Sequence, residues 1–163
     1  MNFCFAYANK AQLESILPTL FEILHTNMNQ IAPTGNTYED DYKVWVSNIY
    51  PAMEKPQWQI VLMYSEGTII GYFQYSIHSE IFMMEEIQIN KAYHGTGIFS
   101  ALYRWLICQL PDDLKTVEAY ANKQNFKSQG VLEHLGLMAT GENKNGKCYH
   151  YKGEYKKLLY KYT

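Results

Sequence analysis

Arginine is almost missing from this chain. Arg104 stands alone among 163 residues, and every other basic residue is a lysine. Lys and Arg together number 14 against 16 Asp and Glu, for a net charge of -2. A general polyanion binder carries a basic excess, so nucleic acid is not expected as a partner. Any anion held here must be gripped by lysine or by backbone amides, not by an arginine cluster. Cysteine is scarce as well: Cys4, Cys108 and Cys148 are odd in number, far apart and outside any CxxC pair. That argues against a disulfide framework or a zinc site and fits a reducing compartment. His25, His78, His134 and His150 are scattered without ligand spacing, so no metal is expected. No run approaches the roughly 18 apolar residues of a membrane span, and the opening MNFCFAYANK has no basic n-region. The expectation is a cytoplasmic protein with no membrane partner.

What the chain does have is core material. With 47% hydrophobic and 18% charged residues, it can bury a sizeable core, and its length suits one domain over residues 1–163. Residues 2–8 alternate weakly and predict a short strand. Residues 11–26 place Leu13, Ile16, Leu17, Leu20, Phe21 and Leu24 on one helical face. After a loop at 27–37, Thr37 with Asp40 three residues later predicts an N-cap for a second helix, ending near Ser47. The period then changes to that of strands. Residues 58–65 and 68–77 are β-rich and joined at Glu66-Gly67, a hairpin signal. A third run, IFMMEEIQI at 81–89, is apolar except for Glu85, Glu86 and Gln88.

A helix follows in which Ile98, Ala101, Leu102, Trp105 and Leu106 share a face, with Pro111 predicted to end it. Strand 116–121, helix 126–135 capped by Gly136, and strands near 137–142 and 147–155 complete the chain. Lys156, Lys157 and Lys161 read as a solvated edge. The order β-α-α-β-β-β-α-β-α-β-β is that of an α/β domain on a mixed, mostly antiparallel sheet with about four helices.

The strand-to-helix junction at 87–106 carries the clearest chemical signal. Gly95 and Gly97 sit in the turn and an amphipathic helix starts at once. Glycines let backbone approach a ligand, and unpaired amides at a helix start carry partial positive charge. Such a turn binds phosphate without any basic side chain; the plain alternative is a structural turn. A dinucleotide fingerprint fits less well, because Gly95-x-Gly97-x-x-Ser100 lacks the third glycine.

On the preceding strand, alternation predicts that Glu85 and Glu86 point to opposite faces. A carboxylate among apolar neighbours has its pKa raised, which suits a general base, and either residue qualifies on that ground. Tyr38, Tyr42, Tyr72 and Tyr75 are candidates to line a pocket.

The run Ile89-Asn90-Lys91-Ala92-Tyr93-His94-Gly95-Thr96-Gly97-Ile98-Phe99 resembles the signature Arg/Gln-x-x-Gly-x-Gly/Ala of the GNAT superfamily of acyl-CoA-dependent N-acetyltransferases. His94 stands where Arg or Gln is usual, and Phe99 where a small residue is usual. Asn125, Ser128 and Gly136 fall at the offsets of a second family pattern. The resemblance extends over nearly the whole chain and implies a GNAT-like fold with acetyl-CoA as co-substrate. It implies that His94, Gly95, Thr96, Gly97, Ile98, Phe99 and Ser100 surround the pyrophosphate. Ile87 and Ile89 would bond the pantetheine arm through main chain, with the Ile89 amide polarising the thioester carbonyl. Asn125 and Ser128 would lie on the CoA arm. Glu85, four residues before the strand end, takes the position of the family's proton acceptor. The usual tyrosine acid is absent, since Leu132 occupies its place.

The function this implies is acetyl transfer to a primary amine, a small molecule being favoured over a protein, by a monomer or homodimer. The alternative is a non-catalytic acyl-CoA-binding module. The acidic start of the second helix, Glu39-Asp40-Asp41, suits a cationic acceptor, though it equally suits the helix dipole.

Overall fold

The computed structural model describes every residue from Met1 to Thr163. In chain order its elements are β1 (Phe3–Tyr7), α1 (Lys10–Met28), α2 (Tyr38–Met53), β2 (Trp58–Ser65), β3 (Thr68–His78) and β4 (Ile81–Ile89). After a 3-10 turn at Lys91–Tyr93 come α3 (Ile98–Ile107), β5 (Thr116–Asn122), α4 (Phe126–His134), β6 (Met138–Glu142), β7 (Cys148–Glu154) and α5 (Tyr155–Tyr162). One seven-stranded sheet runs in the order β1-β2-β3-β4-β5-β7-β6. β4 and β5 are parallel, whereas β1–β2, β5–β7 and β6–β7 are antiparallel. This is the expected mixed α/β fold, with five α-helices rather than about four.

Backbone contacts divide the chain into two compact units. The first comprises Met1–Gln74 and Glu86–Ile98. Its core gathers Leu13, Leu17 and Leu20 of α1, Ile49 of α2, and Ile60, Leu62 and Tyr72 of β2 and β3. α1 starts at a capping box: Asn9 Oδ1 accepts from the Gln12 amide at 2.9 Å, and Gln12 Oε1 accepts from the Asn9 amide at 3.2 Å. α2 is capped as expected, Thr37 Oγ1 accepting from the Asp40 amide at 3.2 Å. It runs on past Ser47 and through Pro51 to Met53. Burial of Ile49 and packing of Met53 on the core hold that last turn despite the donor Pro51 lacks. The β2–β3 turn has positive φ at both Glu66 (49°) and Gly67 (77°), the geometry that matches strand twist in two-residue hairpins.

The second unit comprises Tyr75–Glu85 and Phe99–Thr163. Phe82 lies at its centre, edge-on to Tyr75 at 5.4 Å and to Tyr155 at 6.4 Å. α3 stops at Ile107, short of Pro111, because Gln109 and Leu110 both donate back to the Leu106 carbonyl (2.8 and 3.1 Å) in a closing turn. The chain end is a helix, and its lysines are solvent-exposed as expected. Tyr155 and Leu158 of α5 are buried, and Tyr162 stacks on Tyr103 at 5.1 Å. Its lysines face outward, Lys161 donating to the His134 carbonyl at 2.6 Å.

Candidate active site

The turn entering α3 is built by the backbone. The Asn90 amide donates to the Ile70 carbonyl at 2.7 Å, and the Asn90 side chain accepts from the Ala92 amide at 3.0 Å. Tyr93 and His94 donate back to Asn90 and Lys91 (2.9 and 3.1 Å), and Thr96 Oγ1 donates to the Tyr93 carbonyl at 2.5 Å. The chain then turns through positive φ at Gly95 (74°) and Gly97 (84°), which a side chain would strain. A Cβ added at either glycine meets nothing within 4 Å. Packing therefore does not account for these glycines, and the space before the turn is open. Ile98, 1% exposed, anchors the first turn of α3. The amides of Ile98, Phe99 and Ser100 are its opening donors, which no helical carbonyl reaches. The His94 imidazole turns back: its Nε2 lies 2.9 Å from the Ile89 carbonyl. That carbonyl also accepts from Asn27 Nδ2 at 3.0 Å, so its acceptor capacity is in use.

Strand β4 departs from the expected alternation. In the first unit, Glu86 Oε1 accepts from the Tyr72 hydroxyl at 2.5 Å, from Gln74 Nε2 at 3.4 Å and from Trp45 Nε1 at 3.4 Å. In the second, Glu85 Oε1 accepts from Ser76 Oγ at 2.7 Å, and Ser76 Oγ lies 2.8 Å from His78 Nε2. Tyr72, Gln74 and Ser76 are even-numbered residues of one strand and share a face. Glu85 and Glu86 therefore both reach that face, and the prediction that they diverge is corrected. Strict alternation therefore does not hold between these two neighbours. In the second unit Met84 contacts the Tyr103 hydroxyl (3.4 Å), and in the first Gln88 accepts from Asn27 (3.0 Å). The parallel ladder with β5 ends at Met84–Ala119.

Burial pushes the Glu86 carboxyl above the usual carboxylate range, against the opposing pull of the Tyr72 and Trp45 hydrogen bonds. Burial and the neighbouring Glu86 together push the Tyr72 phenol well above its ordinary value. No lysine, arginine or histidine pairs with Glu86. Beside it stands an aromatic wall from α1 and α2: Phe21 contacts Tyr38, Tyr42 and Trp45 at 5.0, 5.2 and 5.5 Å, and Trp45 meets Tyr72 at 6.2 Å. Of the four candidate tyrosines, Tyr38, Tyr42 and Tyr72 belong to this cluster. Tyr75, on the other face, packs against Phe82 instead. Trp45, Gln74 and Ser76 went unread in the sequence, since nothing local marks them.

In the second unit, Asn125 caps α4, its Oδ1 accepting from the Ser128 amide at 3.1 Å. A groove of about 370 Å³ is lined by Phe99, Ser100 and Tyr103 of α3, Lys127 and His134 of α4, and Tyr162 of α5. Phe99 and Ser100 meet there; Asn125 does not line it. Leu132 is 8% exposed and belongs to the core.

Residues 17–137 match the acetyltransferase (GNAT) family. The chain belongs to that family. No curated protein matches it in sequence. Among solved structures it resembles an acetyltransferase from Thermus thermophilus (16% identity, TM-score 0.71, 94% of this chain and 97% of that one). It also resembles the PaiA N-acetyltransferase of Thermoplasma acidophilum solved with coenzyme A (12%, 0.74, 95% and 100%). A third is the aminoglycoside acetyltransferase AAC(6')-Ib with coenzyme A (13%, 0.69, 99% and 100%). At these identities the likeness is one of fold.

As a GNAT protein, the chain fits coenzyme A at the α3 turn on its own geometry. The open space at Gly95 and Gly97 is where an added Cβ would sit, and the helix-start amides supply donors without side-chain charge. This suits a chain with one arginine. No helix is long and apolar enough to cross a membrane.

Proposed function

We propose that this GNAT protein transfers the acetyl group of acetyl-CoA to a primary amine on a small molecule, by direct attack. The observation that carries the reading is the open glycine turn at Gly95 and Gly97 leading into the first amides of α3. Bound acetyl-CoA supplies the thioester whose carbonyl carbon the amine attacks, with CoA thiolate as the leaving group, protonated by water. The amides from Gly95 to Ser100 hold the pyrophosphate. Main chain at Ile87 takes the pantetheine arm, and at Ile89 only the amide is available, since the Ile89 carbonyl already serves His94 and Asn27. The Ile89 amide faces the charge that develops on the carbonyl oxygen. Glu85 accepts the proton that the amine must lose, directly or through one water, and the Ser76 hydroxyl orients it.

The direct test is calorimetric titration with acetyl-CoA followed by thiol release across an amine panel. In Gly97→Val, a branched side chain at φ 84° occupies the cradle, and acetyl-CoA affinity is expected to vanish in a folded protein. Unchanged affinity would remove the site. His94→Ala should cost far less, because the amides stay. The second reading, an acyl-CoA-binding module without turnover, is favoured by one observation. Leu132 is buried and has no proton for the thiolate. Acetyl-CoA binding without thiol release from any amine would support it.

A further inference from the structure

Glu86 is a carboxylate without a cation. Three neutral donors converge on its Oε1, while Oε2 takes no hydrogen bond from the protein. The residue keeps intermediate exposure, so that second oxygen is within reach from outside. Neutral donors stabilise a negative charge but do not cancel it, and a largely buried carboxylate is normally paired. Around the cluster stand His25, 4.7 Å from the Tyr38 ring, and two acids. Glu22 accepts from the Tyr38 hydroxyl at 2.9 Å and Asp41 from Thr34 and Asn36 at 2.6 and 3.2 Å. The one ion pair of this unit is Lys10–Glu54, at 3.0 Å.

We infer that Glu86, backed by the Trp45, Tyr42 and Tyr38 rings, is the seat of the acceptor's ammonium group, and that the acceptor is an alkyl- or aralkylamine bearing no carboxylate or phosphate. The inference rests on the acetyltransferase reading and names its substrate class. Oε2 accepts an N–H, which selects a primary ammonium over a quaternary one. The indole and phenol faces receive the cation's field and its carbon chain, as aromatic rings within about 6 Å of a cation do. Glu22 and Asp41, neither of them joined to a cation, repel an acceptor carrying its own anion, so an amine is preferred to the amino acid of the same skeleton.

Three five-carbon probes separate the possibilities: pentylamine, cadaverine and lysine. With CoA-saturated protein, calorimetry should show pentylamine and cadaverine binding, with lysine at least about tenfold weaker, and thiol release from acetyl-CoA should rank them alike. A hydrogen bond to a charged group of this kind corresponds to about 10- to 100-fold in affinity. Glu86→Gln should therefore weaken cadaverine binding by about that factor and erase its advantage over lysine, with CoA affinity unchanged. Trp45→Phe, which keeps an aromatic face, should retain most amine binding, and Trp45→Leu should lose it. Lysine binding as well as cadaverine, or Glu86→Gln binding cadaverine like the natural protein, overturns the inference. Glu86-dependent amine binding without thiol release from any amine sustains the ammonium seat while refuting turnover. Transfer with an amine KM indifferent to Glu86 refutes the seat alone.

Discussion

Gly71→Ala is a one-methyl perturbation aimed at the backbone that supports the site. Gly71 lies in β3 with an ordinary φ, so alanine meets no conformational strain there. Its Cβ would stand 2.6 Å from the Gln88 carbonyl oxygen, 3.2 Å from Ile89 Cα and 3.2 Å from Met63 Sδ. Met63 can rotate, but the β4 backbone cannot. To reach ordinary contact at 3.4 Å the Gln88–Ile89 peptide must withdraw by about 0.8 Å. The two residues of that peptide are themselves tied down: Asn27 Nδ2 lies 3.0 Å from both the Gln88 side-chain Oε1 and the Ile89 carbonyl, which His94 also meets at 2.9 Å. A shift of that size either breaks those bonds or drags α1 and the α3 turn with it. Overpacking of this kind costs about 1–3 kcal/mol. At about 2–4 °C per kcal/mol for a chain of this length, Tm should fall by about 2–12 °C. Thermal unfolding by circular dichroism measures the stability loss, and calorimetry with acetyl-CoA should show weaker binding, because Ile89 and the Gly95 turn have moved. A Gly71→Ala protein with natural Tm and natural affinity would refute the claim that this contact positions β4.

Glu86 makes stability depend on pH in a stated direction. Burial raises its folded-state pKa, so its contribution is complete below the unfolded value near 4.5 and is lost as pH rises through the folded value. Glu86→Gln, always neutral, should match the natural protein at pH 4 and exceed it at pH 8 in urea unfolding; a natural protein more stable than the variant at pH 8 would contradict this. Glu85→Gln should leave acetyl-CoA affinity intact and lower turnover by about 10²–10⁴-fold. Ser76→Ala, which removes only the hydroxyl that orients Glu85, should cost less in kcat than Glu85→Gln; full activity in both variants would assign the base elsewhere. Leu132→Tyr restores a hydroxyl at a buried position and should cost about 1–3 kcal/mol by overpacking while raising the rate or shifting the alkaline limb of thiol release. An unchanged profile would show that the hydroxyl does not reach the sulfur.

Features that depend on near neighbours were legible in the chain. Thr37 caps α2 because its hydroxyl and the Asp40 amide are three residues apart, and Glu66-Gly67 turns because those two residues accept positive φ. The glycine turn into α3 was visible for the same reason: its donors belong to consecutive peptides, and the pattern also carried the family. Three features waited for the tertiary structure. α5 is eight residues long, too short to stand alone, and exists because Tyr155 and Leu158 find a core and Tyr162 finds Tyr103. Simple alternation put Glu85 and Glu86 on opposite faces, whereas both meet even residues of β3, a pairing that only the partner strand decides. The environment of Glu86 was the least legible, because its three donors come from positions 45, 72 and 74. Alternation within one strand reveals which side a carboxylate takes only when the ladder is regular, and a pKa is set by whatever long-range packing brings around it.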